Sequence, residues 1–296
     1  MNTGNGFMNK CYDWYYTDEF KQYVDAYADF VKYYRGYIDY YVNVDAIGNP
    51  ELTFKIHEYL EKEHNLRPMP VIHYLTDISW VKKYMDKGYD YIAIGGLTDV
   101  SWVKKYMDKG YDYIAIGGLG QEVDKAHYFG WADTIFRYIS DPVTKMPVIK
   151  THGLAIANFE ILRRYPWYSV DASTFIKCGG YGMIFVPKYV DGEWNYNVQP
   201  MRVKITAKPH KRRILSIWTC GDWLKSIILR YIDEMGYTLG KVVWDAKNEK
   251  EVVIEEGLCS DDALRFEFNA RFFLRFCSKL HDNFVPAYFD TPNLLI

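Results

Sequence analysis

Between Thr17 and Tyr34 the apolar positions are Phe20, Tyr23, Val24, Tyr27, Phe30, Val31 and Tyr34. Steps of three and four gather them on one side of an α-helix, with Thr17 as its cap, Asp18 and Glu19 in its first turn and Gly36 as its stop. Tyr37 to Val44 then reads as a strand that ends in Asp45. Asn49-Pro50 opens the next helix, because proline already has a helical φ and its missing N–H goes unused at the first position. That helix runs to about Asn65, and Met69 to Tyr74 is a second strand carrying His73.

A repeat follows. Thr76–Leu97 reads TDISWVKKYMDKGYDYIAIGGL and Thr98–Leu119 reads TDVSWVKKYMDKGYDYIAIGGL, a period of 22 residues in which only Ile78 and Val100 differ. Each copy predicts one helix, with Trp80, Val81, Tyr84 and Met85 on one face and Gly88 as C-cap, then one strand ending in Gly-Gly-Leu. Two copies make a tandem duplication of an αβ unit rather than a solenoid. A closed barrel has a fixed number of staves, so the surplus copy either replaces a missing one or bulges out, bulging being the simpler expectation.

After the polar stretch Gly120–His127 the pattern predicts a helix from about Trp131 to Ile139 and a strand over Pro147–His152. An Asn158-capped helix, Phe159–Arg164, comes next. Pro166 then ends the helical run, and a short β-prone segment delivers Asp171. Short apolar strands alternating with single helices, without a G-x-G-x-x-G turn, predict an α/β fold of the (β/α) TIM-type barrel kind rather than a dinucleotide fold. Beyond Phe175 the pattern changes. Tyr181–Pro187 and Met201–Thr206 read as antiparallel strands around an Asp191-Gly192 turn, and a helix spans Asp222–Met235 before Gly236. Leu239–Gly257 is charge-rich, and Leu264, Phe268, Phe272, Phe276 and Leu280 mark a last helix from Ser260. The expected division is a barrel domain over 1–187 and a small α+β appendage over 188–296.

Composition narrows the function classes. The chain of 296 residues is 49% hydrophobic and 25% charged, the balance of a globular protein. Its 28 tyrosines suit cores, interfaces and base-stacking platforms alike. A formal charge of −2 supplies no global pull toward a polyanion, so any nucleic-acid contact must be local. The five scattered cysteines contain no C-x-x-C pair, which predicts reduced, intracellular thiols. Cys277 and His281 are four apart but lack a second ligand pair, so neither metal nor cofactor is expected. Met1-Asn2-Thr3-Gly4-Asn5 has no secretory pattern, and no apolar run approaches the ~20 residues of a membrane span. The expectation is a cytoplasmic protein with no membrane partner.

In a parallel barrel the reacting groups sit where strands end. Those positions hold Asp45, His73, Gly95-Gly96 or Gly117-Gly118, His152-Gly153 and Asp171. Each has a plain structural alternative: a turn aspartate, a core or loop histidine, a helix-capping carboxylate. Together they predict a functional mouth. Lys204, Lys208, His210, Lys211, Arg212 and Arg213 cluster in sequence, and Arg163-Arg164 lie near Asp171. Such cations either neutralise a few phosphates or form a solvated loop.

Asp45-Ala46-Ile47-Gly48-Asn49-Pro50, Ile94-Gly95-Gly96-Leu97 with its repeat Ile116-Gly117-Gly118-Leu119, His152-Gly153-Leu154 and Ser169-Val170-Asp171-Ala172-Ser173-Thr174 follow one another as in the tRNA-guanine transglycosylase superfamily. Over residues 20 to 187 the chain resembles most the short phage and DNA-directed members that handle 7-deazaguanines. The resemblance implies that Asp171 is the nucleophile that expels guanine from DNA or tRNA, and that Asp45 reads the edge of the base. It implies that Gly117, Gly118 and Leu119, or in the other copy Gly95, Gly96 and Leu97, line the base site, with His73, His152 and Gly153 on neighbouring strand ends. The second copy is favoured because the longer polar loop follows it. The partners implied are a nucleic acid, met through Lys204, Lys208, Lys211, Arg212 and Arg213, and a free 7-deazaguanine.

The chain also departs from the family. Where the family carries an Asp-Ser-Gly-Gly-Phe-type turn whose aspartate assists proton transfer, the nearest stretch is Asn2-Thr3-Gly4-Asn5-Gly6-Phe7. The barrel is therefore expected to lack strands at its N-terminal side. The zinc cluster of the tRNA enzymes is absent from the sequence, which favours DNA-directed or divergent members. Two further readings stand beside base exchange. One is a non-catalytic relative that binds a nucleobase or nucleic acid. The other is an unrelated barrel enzyme acting on a small phosphorylated substrate, for which the last strands show no glycine-rich phosphate loop.

Overall fold

The computed structural model describes residues 16–73, 76–95, 100–117, 125–209, 214–280 and 286–289. The chain divides into two compact units, 1–154 with 167–170 and 288–296, and 155–166 with 171–287. Residues 171–187, read from sequence as the end of the barrel domain, belong to the second unit.

The first unit begins with helix α1 (Asp18–Tyr33), where the Thr17 hydroxyl accepts the Phe20 N–H at 3.2 Å. Helix α2 (Pro50–His64) is capped by Asn49, and Asn65 ends it in the left-handed region at φ 52°. Then come β1 (Val71–His73), α3 (Ile78–Asp86), β2 (Tyr91–Gly95), α4 (Val100–Asp108), β3 (Tyr113–Ile116) and α5 (Lys125–Ile139). Strands β4 (Lys150–Gly153) and β5 (Ser169–Val170) complete a five-stranded sheet ordered β1-β2-β3-β4-β5, parallel throughout. The fold class is thus α/β, and each strand lies beside the one before it in the chain.

The predicted first strand is reduced to a single parallel bridge, Val42 to Met69, flanked by the Asn43 N–H to Met69 O bond at 2.9 Å. Its outer edge is covered by α1, since the Tyr27 hydroxyl donates to Val42 O at 2.5 Å. Covering an edge in this way stops further strand pairing there. Among the described residues, no pairing joins β5 to the Val42 segment.

Alternation along the strands sorts the two faces. Ile72, Ile92, Ile94, Ile114, Ile116 and Thr151 share one face and are all buried. Val71, Ala93, Ala115, His152 and Ser169 form a row across the other, where Met69 and Tyr113 add to an apolar cluster. Full burial of each isoleucine contributes about 1.5–3 kcal/mol, which fixes which way the strands face.

The duplicated unit does not bulge out. Its two strands pair in register from Tyr91 with Tyr113 to Ile94 with Ile116, so each copy contributes its own full strand to the sheet. The physical reason is that each copy carries its own apolar rows and its own helix, in which Val81 and Tyr84, or Val103 and Tyr106, are buried. A bulged copy would expose these groups and leave strand backbone unpaired.

In the second unit, α6 (Phe159–Arg164) is capped by Asn158, and α7 (Thr174–Gly180) follows. Strands β6 (Met183–Val186) and β9 (Met201–Lys204) pair antiparallel as expected. The Asp191-Gly192 turn serves a separate hairpin between them, β7 (Lys188–Val190) with β8 (Glu193–Asn195). Both turn residues have positive φ, 51° and 90°, which suits a two-residue hairpin turn. Helix α8 (Asp222–Glu234) precedes β10 (Lys241–Asp245) and β11 (Lys250–Glu255), an antiparallel hairpin in the segment read only as charge-rich. Helix α9 (Asp262–Leu280) supplies Phe268, Phe272 and Phe276, which pack with Phe159, Phe185 and Tyr231.

Candidate functional site

Asp45 follows the Val42 bridge, and His73 closes β1, so the first two parallel segments end side by side. Their side chains meet: His73 Nε2 lies 2.6 Å from Asp45 Oδ2. The donor is the imidazole N–H and the acceptor the carboxylate, a charge-assisted bond that fixes the ring and the acid together. The two side chains keep 22% and 30% of their surface exposed, so the pair is held by protein yet open to a ligand.

Gly95, at the end of β2 and opposite His73, makes room for this pair. A Cβ there would lie 2.7 Å from His73 Nδ1 and 3.0 Å from Cε1. The equivalent glycine of the second copy, Gly117, meets something else: its Cβ would strike Leu154 Cβ at 2.6 Å. It is the first copy, rather than the favoured second, that lies against His73.

A cavity of about 440 Å³ adjoins Asp45, with Phe20, Tyr23 and Tyr27 of α1 on one side and Val42 to Asp45 on the other. Burial holds the Tyr27 phenol well above its usual pKa, so it stays a donor to Val42 O. Helical periodicity places these tyrosines on the apolar face of α1. Nothing in a helical periodicity separates a ring that fills a core from one that lines a cavity beside it.

A second polar group crosses the apolar face of the sheet. His152 Nδ1 is 2.7 Å from Ser169 Oγ, and Ser169 Oγ is 2.7 Å from the Tyr113 hydroxyl. Ser169 and Tyr113 were not among the sequence candidates, although Ser169 sits two residues before Asp171. Gly153 pairs with Ile116 and so belongs to the opposite face from His152. Asp171 comes directly after β5 in the chain and belongs to the second unit, where its Oδ1 accepts the Ala155 N–H at 3.1 Å.

No family model, curated protein or solved structure matches this chain. The remaining sequence candidates are placed as follows. Lys204 is 7% exposed on β9, and burial lowers its pKa, so its ammonium is badly sited for phosphate. Lys208 is exposed, and its backbone N–H donates to Glu251 Oε1 at 2.9 Å. Arg163 stacks its guanidinium over Phe276 at 5.9 Å in the second unit, and Arg164 reaches Ala287 O at 3.5 Å. Gly96, Leu97, Gly118, Leu119, His210, Lys211, Arg212, Arg213 and His281 lie outside the described residues. Among the described residues no group of three or more His, Cys, Asp or Glu is placed to hold a metal, and no helix is long and apolar enough to cross a membrane.

Proposed function

We propose that this chain is a base-exchange glycosyltransferase that replaces guanine in a DNA or tRNA strand by a free 7-deazaguanine. The Asp45–His73 pair at 2.6 Å carries the reading. A carboxylate oriented by a histidine is a strong acceptor, and the N1–H and 2-amino group of a guanine-type ring are two donors on one edge. Gly95 supports it by leaving space that any side chain would take from His73. The same reading takes the parallel sheet, with its strands in chain order and its polar groups at their ends, as part of a (β/α) barrel.

Asp171 is the nucleophile in this proposal. Its carboxylate forms a bond to the anomeric carbon as the bond to guanine N9 breaks, and guanine takes up a proton from solvent water as it leaves. The incoming ring nitrogen then attacks the same carbon, the aspartyl ester bond breaks to return the carboxylate, and the nitrogen gives its proton to water. One hard displacement becomes two easier ones, as in retaining glycosidases. The target nucleotide has to be single-stranded or flipped out.

The test is exchange of labelled guanine in DNA and in tRNA by wild type, Asp171→Asn and Asp171→Ala. Wild type exchanges and both variants do not; undiminished exchange in the variants refutes the role of Asp171. A second reading, a base-binding relative without catalysis, is favoured by Asn2-Thr3-Gly4-Asn5-Gly6-Phe7, which lacks the carboxylate that the family uses for proton transfer. Binding of 7-deazaguanine by wild type with no exchange selects it.

A further inference from the structure

In the second unit the hairpin of β10 and β11 stands as a sheet of two strands, and among the described residues no other strand pairs with either of them. Two strands alone are marginal, and each outer edge offers a row of backbone N–H and C=O groups to a further strand. The two edges differ. Lys241 lies opposite Glu255 but Val242 lies opposite Val253, so Ile254 is an extra residue in β11 and bulges its edge. A bulge of this kind discourages further pairing. β10 has no extra residue and no proline along Lys-Val-Val-Trp-Asp, so its edge is the one built to pair.

Alternation puts Lys241, Val243 and Asp245 on one face of the hairpin and Val242 and Trp244 on the other. The second face turns to the body of the unit: Val242 is buried, and Glu251, opposite Trp244, accepts the backbone N–H groups of Ala207 and Lys208. The first face is outward, with Lys241 exposed and Val243 keeping 45% of its surface. Its charges are already ordered across the hairpin, since Lys241 faces Glu255 and Asp245 faces Lys250. On this face β10 carries a cation at one end, an anion at the other and a valine midway. Turned by a two-fold axis at Val243, that row is its own complement.

We propose that β10 pairs antiparallel with β10 of a second copy of this chain, Val243 lying opposite the partner's Val243. Lys241 then faces the partner's Asp245, Asp245 faces the partner's Lys241, and Val242 faces the partner's Trp244. The outward face becomes four strands wide. Its charged rows run Glu255, Lys241, the partner's Asp245, the partner's Lys250, alternating in sign, on either side of a row of four valines. Opposite charges and β-branched residues stabilise a sheet when they face each other across strands, and like charges do the reverse. The register is specified as well. Moving the axis one residue either way sets Val243 against the partner's Lys241 or the partner's Asp245 and parts both charges from their counterparts.

Sedimentation velocity of the full chain over a series of concentrations tests it, with two variants at the residue that faces itself. Val243→Lys and Val243→Asp each set like charges against one another across the axis, whereas within the hairpin the opposite residue is the neutral Val252. Wild type shows a concentration-dependent monomer–dimer equilibrium. Each variant alone weakens it by roughly tenfold, a repulsive pair replacing an apolar one. An equal mixture of the two regains dimer, because the introduced ammonium and carboxylate now meet. Circular dichroism establishes that each variant keeps the fold. A wild type that stays monomeric overturns the proposal and leaves the β10 edge to a strand of some other protein. A dimer that neither variant weakens, or a mixture no more dimeric than its components, overturns the two-fold at Val243 and the proposal with it.

Discussion

Gly95→Ala separates space from chemistry at the Asp45–His73 pair. The added Cβ would stand 2.7 Å from His73 Nδ1, closer than such atoms approach, so the imidazole must tip away and release Asp45. A bond to a charged group contributes about 1.5–3 kcal/mol, and the exposure of both side chains puts this one near the lower end. Against that loss of about 1.5 kcal/mol, replacing glycine by alanine restricts the unfolded chain and returns about 0.4–1 kcal/mol, because Gly95 does not use the left-handed region. The net expectation is a destabilisation of about 0.5–1 kcal/mol. On a His73→Ala background the collision partner is gone, and the same substitution becomes stabilising by about 0.4–1 kcal/mol. The coupling of about 1.5 kcal/mol is roughly tenfold in an equilibrium constant. Hydrogen exchange at the Ala93 amide, bonded to Pro70 O at 2.8 Å, reads it within this sheet and apart from the second unit. Equal destabilisation on both backgrounds would mean that the methyl meets something other than His73, and the account of this glycine would be wrong.

Other consequences are simpler to state. Tyr89 and Tyr111 are equivalent in the repeat, yet the Tyr89 hydroxyl lies 2.8 Å from His57 Nε2 and donates to Glu61 at 2.7 Å, while the buried Tyr111 hydroxyl has no hydrogen-bond partner among the described residues. Tyr89→Phe should therefore cost about 1–3 kcal/mol in thermal or urea unfolding and Tyr111→Phe nothing or less than nothing; equal effects would contradict this. Burial pushes His57 down to about 4 from its ordinary 6.5, so the folded state holds it neutral while the unfolded state takes up a proton first. Stability is complete above pH 6.5 and falls as pH drops toward 4, by an amount on the order of 3 kcal/mol, and His57→Gln should flatten a stability–pH profile across that window. In the second unit, Phe272→Ala removes a fully buried ring stacked on Phe185 and should lower stability by about 3–5 kcal/mol, seen as loss of protection at β6 amides.

Local periodicity was enough for much of this protein. Helices α1, α2 and α9 follow from apolar steps of three and four with Thr17, Asn49-Pro50 and the Phe268–Phe272–Phe276 series, because a helix satisfies its own backbone and needs only a face to bury. The αβ duplication and the strands that end at His73 and Gly95 were legible for the same reason, as was the antiparallel pairing of β6 with β9. The β10–β11 hairpin was not, because its many charged and exposed side chains carry no apolar alternation and its hydrogen bonds are made to a partner strand.

What required the tertiary structure was which side chains of different segments meet. Two identical copies of Tyr-Ile-Ala-Ile-Gly pack against different neighbours, so Gly95 meets His73 and Gly117 meets Leu154, a distinction no residue in either copy encodes. Along the chain Asp45 and His73 are separate candidates 28 positions apart; parallel pairing of the segments that carry them turns two weak signals into one hydrogen-bonded pair. The Tyr113–Ser169–His152 contact and the cavity beside Asp45 arise in the same way. Side-chain type and spacing set what a segment can become, since those forces act within a few residues. Which groups then share a surface depends on strand order and register, which are settled by the burial of the whole core.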